Sequence, residues 1–502
     1  MTNMTRRNFI QSSTIASAAV MSAVVLPRHV LGGAGYVAPN EKVHVGYVGC
    51  GMQGMRQLIG EALPNPGIRV VAVCDPNRIG DDYGYVGSNE EKRLFLDNPD
   101  WMKDAKGEVC GRDVGRDVTK HYYAKQSGGS PSGVVLGEFS DFREMLDTQK
   151  DLDAVINVTP DHQHGVVAMR SMRAGKHILT QKPMSNVLDE ARQMRDTARK
   201  IDVATQLFCG VSYGDDSPKV GEWLAAGAVG RVKEIICVSG RPCWPQGMLT
   251  YPSETQPIPD GFDWDIWQGP AAERPYNRAY TNSVFRGWFD FGSGPVGDMG
   301  CYAFYKIFKA LGLGNPLGVQ ATRSEYYDVT EQGWTRRVNK VSFPQASRIS
   351  WDFANPTVSG EKIRMHWYDG GVMPPDVEEW TESRSMPGEY VLYVGTDGLM
   401  VCDFMGHDPK MLRCKESFGK PAQVAPKPTW EMDQFVKACR GEAKSDATFE
   451  FAYPFVETVL IGNIALRLPR EKLIWNAENF EFTNSDEANA LKFRKNRPGW
   501  EL

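Results

Sequence analysis

Between Val43 and Leu63 the chain reads VHVGYVGCGMQGMRQLIGEAL, and no other stretch limits its fold so tightly. Apolar residues alternate at Val43, Val45 and Tyr47, as in a short strand. At Met55, Leu58, Ile59 and Leu63 they recur with helical spacing. Gly49, Gly51 and Gly54 fill the turn between the two patterns. In a chain with 50 glycines a GxGxxG carries little weight alone, but strand, glycine turn and helix together are the setting in which it binds a dinucleotide. Gly49 permits the tight turn, and Gly51 lets a pyrophosphate approach the backbone beside Met52 and Gln53. Gly54 lets the helix pack on the strand, and the helix start offers unpaired N–H groups to phosphate oxygens.

A second apolar run, IRVVAVCDPNR, ends at Asp75, about twenty residues past the last glycine. A carboxylate there accepts hydrogen bonds from the adenosine ribose hydroxyls and repels a 2′-phosphate, which favours NAD over NADP; Arg78 partly offsets the repulsion. Gly80 to Gly133 is polar and glycine-rich, and is expected to be an elaborated loop with one short helix around Val118 to Gln126. Strands and helices then alternate through DLDAVINVTP, HGVVAMRSMRAG, KHILTQKP, NVLDEARQMRDTARK and VATQLF. Such alternation predicts a doubly wound parallel sheet, with ligands outside the carboxyl ends of its strands. TPDHQH and TQKP lie at such ends, and Lys182 is placed to point into the crevice.

From Val232 onward the pattern changes to β-type segments (VKEIICVSG, PLGVQATRSEYY, QASRISWDF, KIRMHWYDG, EYVLYVGTDG) separated by Gly, Pro and Asp turns. Two late segments, TWEMDQFVKACRG and FEFAYPFVETVLIGNIALRL, have helical spacing. Trp244, Trp264, Trp267, Trp288 and Phe289 suit either the walls of a sugar pocket or a plain core. Asp298 and Tyr302 stand four residues apart just after a glycine cluster, so a helix would put them on one face; a helix N-cap at Asp298 has the same local sequence.

The 502 residues allow two or three domains. A net charge of -5 without a long basic run argues against nucleic-acid binding. Arg6 and Arg7 precede a mildly apolar stretch, Ile15 to Leu26, too short for a membrane span of ~20 apolar residues. We read residues 1–35 as a twin-arginine signal, a route for already folded proteins to the periplasm or beyond, with no stable span in the mature protein. The ten cysteines show no CxxC pair and no regular Cys/His spacing, so no metal site is expected; Cys74, Cys237 and Cys301 read as core residues. The expected division is a nucleotide domain over 40–210, an α+β domain over 211–430, and C-terminal helices and tail over 431–502 that pack back on both.

The glycine motif, TPDHQH, QKP, FDWDIWQGPAAERPYN and GSGPVGDMGCY, in this order, resemble the Gfo/Idh/MocA family of NAD(P)-dependent oxidoreductases. The resemblance runs from about Val43 to the C-terminus. It implies a Rossmann domain followed by an α+β domain whose open, mostly antiparallel sheet supports homo-oligomers. It also implies that Thr159, Pro160 and His162 lie along the nicotinamide side of the cofactor; His164 reads as structural. Gln181 and Gln206 are placed along the cofactor, and Trp264, Arg241 and Arg286 at the substrate. In sugar-handling members a lysine of an EKP motif and a D-x-x-x-H pair act on the substrate hydroxyl. Here Gln181 replaces the glutamate, Lys182 matches, and Asp298 is followed by Tyr302, as in a subset of the family.

A free tyrosine titrates near ~10 and is a weak base at neutral pH, but a neighbouring cation lowers that value. These residue types give Tyr302 the proton transfer, Lys182 the electrostatic and anchoring role, and Asp298 the substrate hydroxyl; an assignment with Lys182 as base is equally consistent. The resulting expectation is a NAD-dependent oxidoreductase acting on a secondary hydroxyl of a sugar, glycoside or cyclitol, with the cofactor tightly held. One alternative is a NAD-dependent glycosidase that oxidises transiently without net redox. A second is a nucleotide- and sugar-binding protein without turnover.

Overall fold

The computed structural model describes residues 41–84, 89–210, 218–377, 388–414 and 431–502; the expected export signal lies outside the described residues. The first half builds six parallel strands: β1 (Val43–Val48), β2 (Ile68–Cys74), β3 (Gly137–Phe139), β4 (Ala154–Asn157), β5 (His177–Thr180) and β6 (Thr205–Leu207). They lie in the order β3-β2-β1-β4-β5-β6. Crossover helices cover both faces of a parallel sheet, so its strands are apolar throughout. Val45 and Tyr47 of β1 accordingly enter one core and Val48 the other. The strand order reverses between β1 and β4, and a crevice opens where the loops leaving them diverge.

The helices of this half include α1 (Met52–Gln57), which widens into a π-helical turn at Leu58–Ala62, α2 (Arg112–Ser127), α3 (His164–Arg173) and α4 (Leu188–Ala198). The segment after β2 is more ordered than its composition predicts. Gly80–Tyr83 pairs with Glu108–Cys110 as a hairpin, Asn89–Phe95 is helical, and α2 starts at Arg112 rather than near Val118. Polar residues cover its outer side, while Val109, Val114, Val118 and Tyr123 are buried in the nucleotide-domain core. The Lys92 ammonium and the Glu108 carboxylate pair in its interior, both almost fully buried.

The second sheet has nine strands: β7 (Val232–Val238), β8 (Gly318–Arg323), β9 (Ser347–Ala354), β10 (Lys362–Asp369), β11 (Tyr390–Gly395), β12 (Leu399–Asp403), β13 (Lys410–Arg413), β14 (Lys472–Asn476) and β15 (Glu481–Phe482). Their order is β13-β12-β11-β7-β10-β9-β8-β14-β15, antiparallel except between β7 and β10. Five of these strands match the β-type segments of the sequence. β14 and β15 come from the region expected to supply only helices and tail, and they complete the sheet edge instead.

Side chains alternate on β9, with Ile349, Trp351 and Phe353 facing inward. That face is covered by α5 (Cys301–Leu311) and α7 (Phe449–Arg467); α6 (Glu431–Cys439) packs instead on the nucleotide-domain core. α7 is mostly apolar because it is buried over most of its length, and its buried Glu457 accepts from Tyr453 and Asn315. A Cβ at Gly462 would stand 2.6 Å from the Trp351 indole, so only glycine lets helix and sheet meet there. Cys74, Cys237 and Cys301 are buried, as their apolar surroundings predict.

Removing one member of the Lys92–Glu108 pair strands a buried charge, whereas replacing both by apolar residues does not. Lys92→Met is therefore expected to destabilise by about 3–5 kcal/mol. The double variant Lys92→Met/Glu108→Leu should recover most of that loss, and chemical denaturation of the three proteins checks the pair.

Candidate active site

A cleft of about 400 Å³ opens at the carboxyl ends of β1 and β4. The glycine turn lies at one end, and Lys182, Asp298, Tyr302, Arg241 and Arg286 lie at the other. Gly49 has φ +98°, and a Cβ there would stand 2.5 Å from the Val158 carbonyl oxygen. A Cβ on Gly54 would stand 2.0 Å from the Gly49 oxygen, so close packing of α1 on its own turn requires glycine at both positions. Gly51 differs. A Cβ there would meet only the Tyr83 ring, at 3.4 Å, because Gly51 borders the cleft itself. The first helical residues Met52, Gln53 and Gly54 line the same end, and no side chain caps that helix start. This backbone cradle fits a pyrophosphate.

Asp75 ends β2 beside the cradle. Its carboxylate accepts N–H bonds from Cys50 at 2.6 Å and Asn77 at 2.7 Å. Burial lifts its pKa to about 6 against those bonds and Arg112, which leaves it ionised at neutral pH. Thr159 and Pro160 also line the cleft, as does Gln181, whose amide donates to Gln57 Oε1 at 3.1 Å.

The two histidines of TPDHQH differ from their expected places. His162 faces away from the cleft: its ring nitrogens meet the Phe291 and Trp267 carbonyls at 3.3 and 2.9 Å. Burial drives its pKa down to about 3. His164, expected to be purely structural, does line the cleft and bridges the Pro183 and Thr159 carbonyls at 2.6 and 2.8 Å. Gln206 is fully buried, donates to the Glu431 carbonyl at 2.9 Å, and does not border the cleft. Trp264 is likewise absent from the lining; it stacks on Trp267, 5.1 Å between ring centres, and donates to the Arg274 carbonyl. Trp288 belongs to the same aromatic core, and Phe289 packs on Phe343. Trp244 and Trp267 are the two expected tryptophans that reach the cleft.

Asp298 sits in a widened π-helical turn, Val296–Gly300, that leads into α5. It does not cap the helix. Its Oδ1 lies 3.0 Å from Lys182 Nζ and 3.2 Å from Arg286 Nε, and its Oδ2 lies 3.5 Å from Arg241 Nε. Lys182 also donates to the Asp298 backbone carbonyl. Burial favours neutral Asp298, but Lys182, Arg286 and Arg241 prevail and hold its carboxyl far below the usual range. Burial likewise opposes the Lys182 charge, yet Asp298 and Tyr302 hold the ammonium above its usual range.

One turn further along α5, the Tyr302 ring lies 4.7 Å from Lys182 Nζ. The residue types alone set that cation, which lowers the phenol, against Asp298, which raises it. Burial raises the phenol, with Asp298 and Glu431 adding to burial and Lys182 opposing. Sequence reasoning missed Tyr83, Cys243, Ser283 and Phe285 in the lining; no local motif marks these positions, which only the tertiary fold brings to the cleft.

Fold and cleft together define a protein built to hold a dinucleotide, and comparison with known proteins makes this specific. Residues 124–208 match the oxidoreductase-family NAD-binding Rossmann fold of Gfo/Idh/MocA proteins, and residues 246–334 match that family's C-terminal alpha/beta domain. Both matched domains are thus of the Gfo/Idh/MocA oxidoreductase family. It is 25% identical over 244 residues to a glycosyl hydrolase family 109 protein of Shewanella baltica, covering 46% of this chain and 45% of that one. The match thus spans less than half the length of that curated relative. The WlbA dehydrogenase of Bordetella pertussis, solved with NADH and UDP-GlcNAcA, aligns over 87% of this chain and 99% of its own at TM-score 0.52 and 13% identity. GenD2 from gentamicin A biosynthesis, solved with NAD, aligns over 90% of this chain and all (100%) of its own at TM-score 0.50 and 19% identity. At these identities the likeness is one of fold.

The two glycines separate folding from binding. Gly51→Ala should leave the unfolding temperature unchanged while lowering nucleotide affinity by about one to two orders of magnitude, through loss of close backbone approach. Gly49→Ala should lower the unfolding temperature itself, because its Cβ meets backbone. Thermal denaturation and nucleotide titration of both variants check the distinction.

Proposed function

We propose that the protein is a NAD-dependent oxidoreductase acting on a secondary hydroxyl of a sugar, glycoside or cyclitol, with its nicotinamide cofactor tightly held. One observation carries this reading: Lys182 contacts both Asp298 and the Tyr302 ring in the same cleft that the glycine turn borders. The glycine turn and Asp75 would hold the dinucleotide; the carboxylate of Asp75, fixed by two backbone N–H groups, disfavours a 2′-phosphate and so supports NAD. A nicotinamide held there would supply the hydride-accepting chemistry at the carbinol carbon. The chain's own residues handle the proton.

With both groups raised, Tyr302 and Lys182 rest in their protonated forms. Tyr302 then donates its phenol proton when a carbonyl is reduced; in alcohol oxidation it is the phenolate, formed once that proton has gone to solvent, that takes the hydroxyl proton. Lys182 stabilises the phenolate in either direction. Asp298 keeps Lys182 charged and in place, since its oxygens already face Lys182, Arg286 and Arg241.

Tight retention has structural support in the segment after Asp75, which reaches across to the second half of the chain. The Arg78 N–H donates to the Gly261 carbonyl at 2.8 Å and the Asp263 N–H to the Pro76 carbonyl at 2.9 Å. Asp82 lies 3.3 Å from Arg278 and accepts from Asn282 at 3.2 Å. Tyr83, Asn282 and Ser283 line the cleft beneath these ties. Export as a folded protein, as Arg6 and Arg7 suggest, suits a retained cofactor. A retained cofactor also suits a second reading, glycoside cleavage through transient oxidation with no net redox, which the likeness to glycosyl hydrolase family 109 proteins favours. Product analysis separates the two: a keto sugar with NADH against a released aglycone with unchanged cofactor.

Tyr302→Phe should lower turnover ~10²–10⁴-fold with nucleotide binding intact; unchanged turnover removes Tyr302 from the mechanism. Because burial raises the phenol, oxidation by the unaltered protein should keep rising with pH through neutrality and beyond ~10, the free tyrosine value, as phenolate accumulates. Asp82→Ala should speed nucleotide release with little change in unfolding temperature, and stopped-flow displacement by excess nucleotide measures it.

A further inference from the structure

The inner end of the cleft carries more positive charge than its own acids neutralise. Lys182, Arg241 and Arg286 line it against Asp298 and Asp161. Glu389, which does not line the cleft, lies 3.2 Å from Arg241 Nη1. Asp298 meets all three cations, and Arg286 spends only one edge on it: its Nε lies 3.2 Å from Oδ1. Among the described residues, the terminal nitrogens of Arg286 find only the Ser283 carbonyl, at 3.5 Å, the outer limit of a hydrogen bond.

The guanidinium also lies over two aromatic rings. Its carbon lies 4.6 Å from the Phe285 ring centre and 5.8 Å from that of Trp244. A guanidinium fixed on one edge keeps a planar fork that matches a carboxylate. Asp298 pairs the Nε edge, and with 21% of the side chain exposed the terminal nitrogens are left without a carboxylate of their own. Arg286 Nε and Lys182 Nζ also share one oxygen, Asp298 Oδ1. A group bound to Arg286 and a hydroxyl held by Lys182 therefore stand within the span of a single sugar ring.

We propose that the substrate is an acidic sugar, a hexuronate or hexuronoside, whose carboxylate binds the terminal nitrogens of Arg286 with Arg241 beside it. The sugar ring lies against Trp244, and a ring hydroxyl is presented to Lys182 and Tyr302. The chemical step after binding rests on the proposed oxidoreductase reading, while the binding itself is independent of it. A neutral sugar leaves the Arg286 fork desolvated and unpaired, so the cleft discriminates by charge.

The test is calorimetric titration of the nucleotide-loaded protein with D-glucuronate, D-galacturonate and their methyl glycosides, against D-glucose, D-galactose and the corresponding neutral methyl glycosides. The acids should bind at least about tenfold more tightly, the preference should shrink as salt rises, and Arg286→Lys, which keeps the charge but loses the fork, should cut it by about tenfold. Equal affinity for acidic and neutral sugars, binding of neither class, or an undiminished preference in a folded Arg286→Lys protein overturns the proposal. Should Arg286→Lys not fold, the ligand series on the unaltered protein decides alone. Acid binding that produces neither NADH nor a cleaved glycoside upholds the carboxylate site and removes the hydride-transfer reading.

Discussion

The contact between Lys182 and Asp298 is the interaction on which the rest of the site depends. Lys182 follows β5 of the parallel sheet, and Asp298 lies in the turn that begins α5 under the nine-stranded sheet. One ion pair therefore joins the two halves of the chain at the place where the cleft passes between them. Neither group is well solvated, and burial opposes both charges. Each remains ionised because the other is there, with Arg286 and Arg241 adding to the field around Asp298. That pairing commits Lys182 to its charge, while burial leaves Tyr302, one helical turn from Asp298, with its phenol proton at rest.

Around that pair, surrounding elements hold the walls in place. The hairpin Gly80–Tyr83 with Glu108–Cys110 sets Tyr83 against the glycine turn, and the interior Lys92–Glu108 pair closes the insertion behind it. On the other side, a separate aromatic core of Trp264, Trp267, Tyr276, Tyr280, Phe285, Trp288 and Phe291 makes a rigid block of a long stretch with little regular structure. The C-terminal tail fastens the loops beneath: Arg494 donates to the His162 carbonyl at 3.1 Å and pairs with Glu190 at 2.6 Å. His162 is thereby a structural link between tail, aromatic core and β4, which accounts for its neutral, doubly contacted ring.

Much of this was legible in advance where chemistry and spacing coincide locally. The glycine turn, Asp75, Thr159, Pro160, Gln181, Lys182, Asp298 and Tyr302 all border one cleft, because each sits at a strand end or in a glycine-marked turn whose position the parallel-sheet pattern already implies. The misplaced residues share a different property. His162, Trp264 and Gln206 belong to motifs or segments near the cleft, but a side chain's direction there depends on packing partners distant in the chain, such as Phe291 for His162 and Glu431 for Gln206. The insertion was underestimated for the same reason: polar residues dominate its composition, while its few apolar side chains find their partners only in the folded nucleotide domain.

By itself, the sequence determined the class of fold and the end of the sheet at which the cleft opens, since hydrophobic period and glycine placement act through nearest neighbours along the chain. Tertiary structure alone decided the electrostatics. Whether Tyr302 is depressed by Lys182 or raised by burial is a balance between a charge contact and desolvation, and neither quantity exists until distant segments enclose the group. The same holds for Arg286, whose fork became a candidate anion site only once Asp298, Phe285 and Trp244 had fixed its orientation.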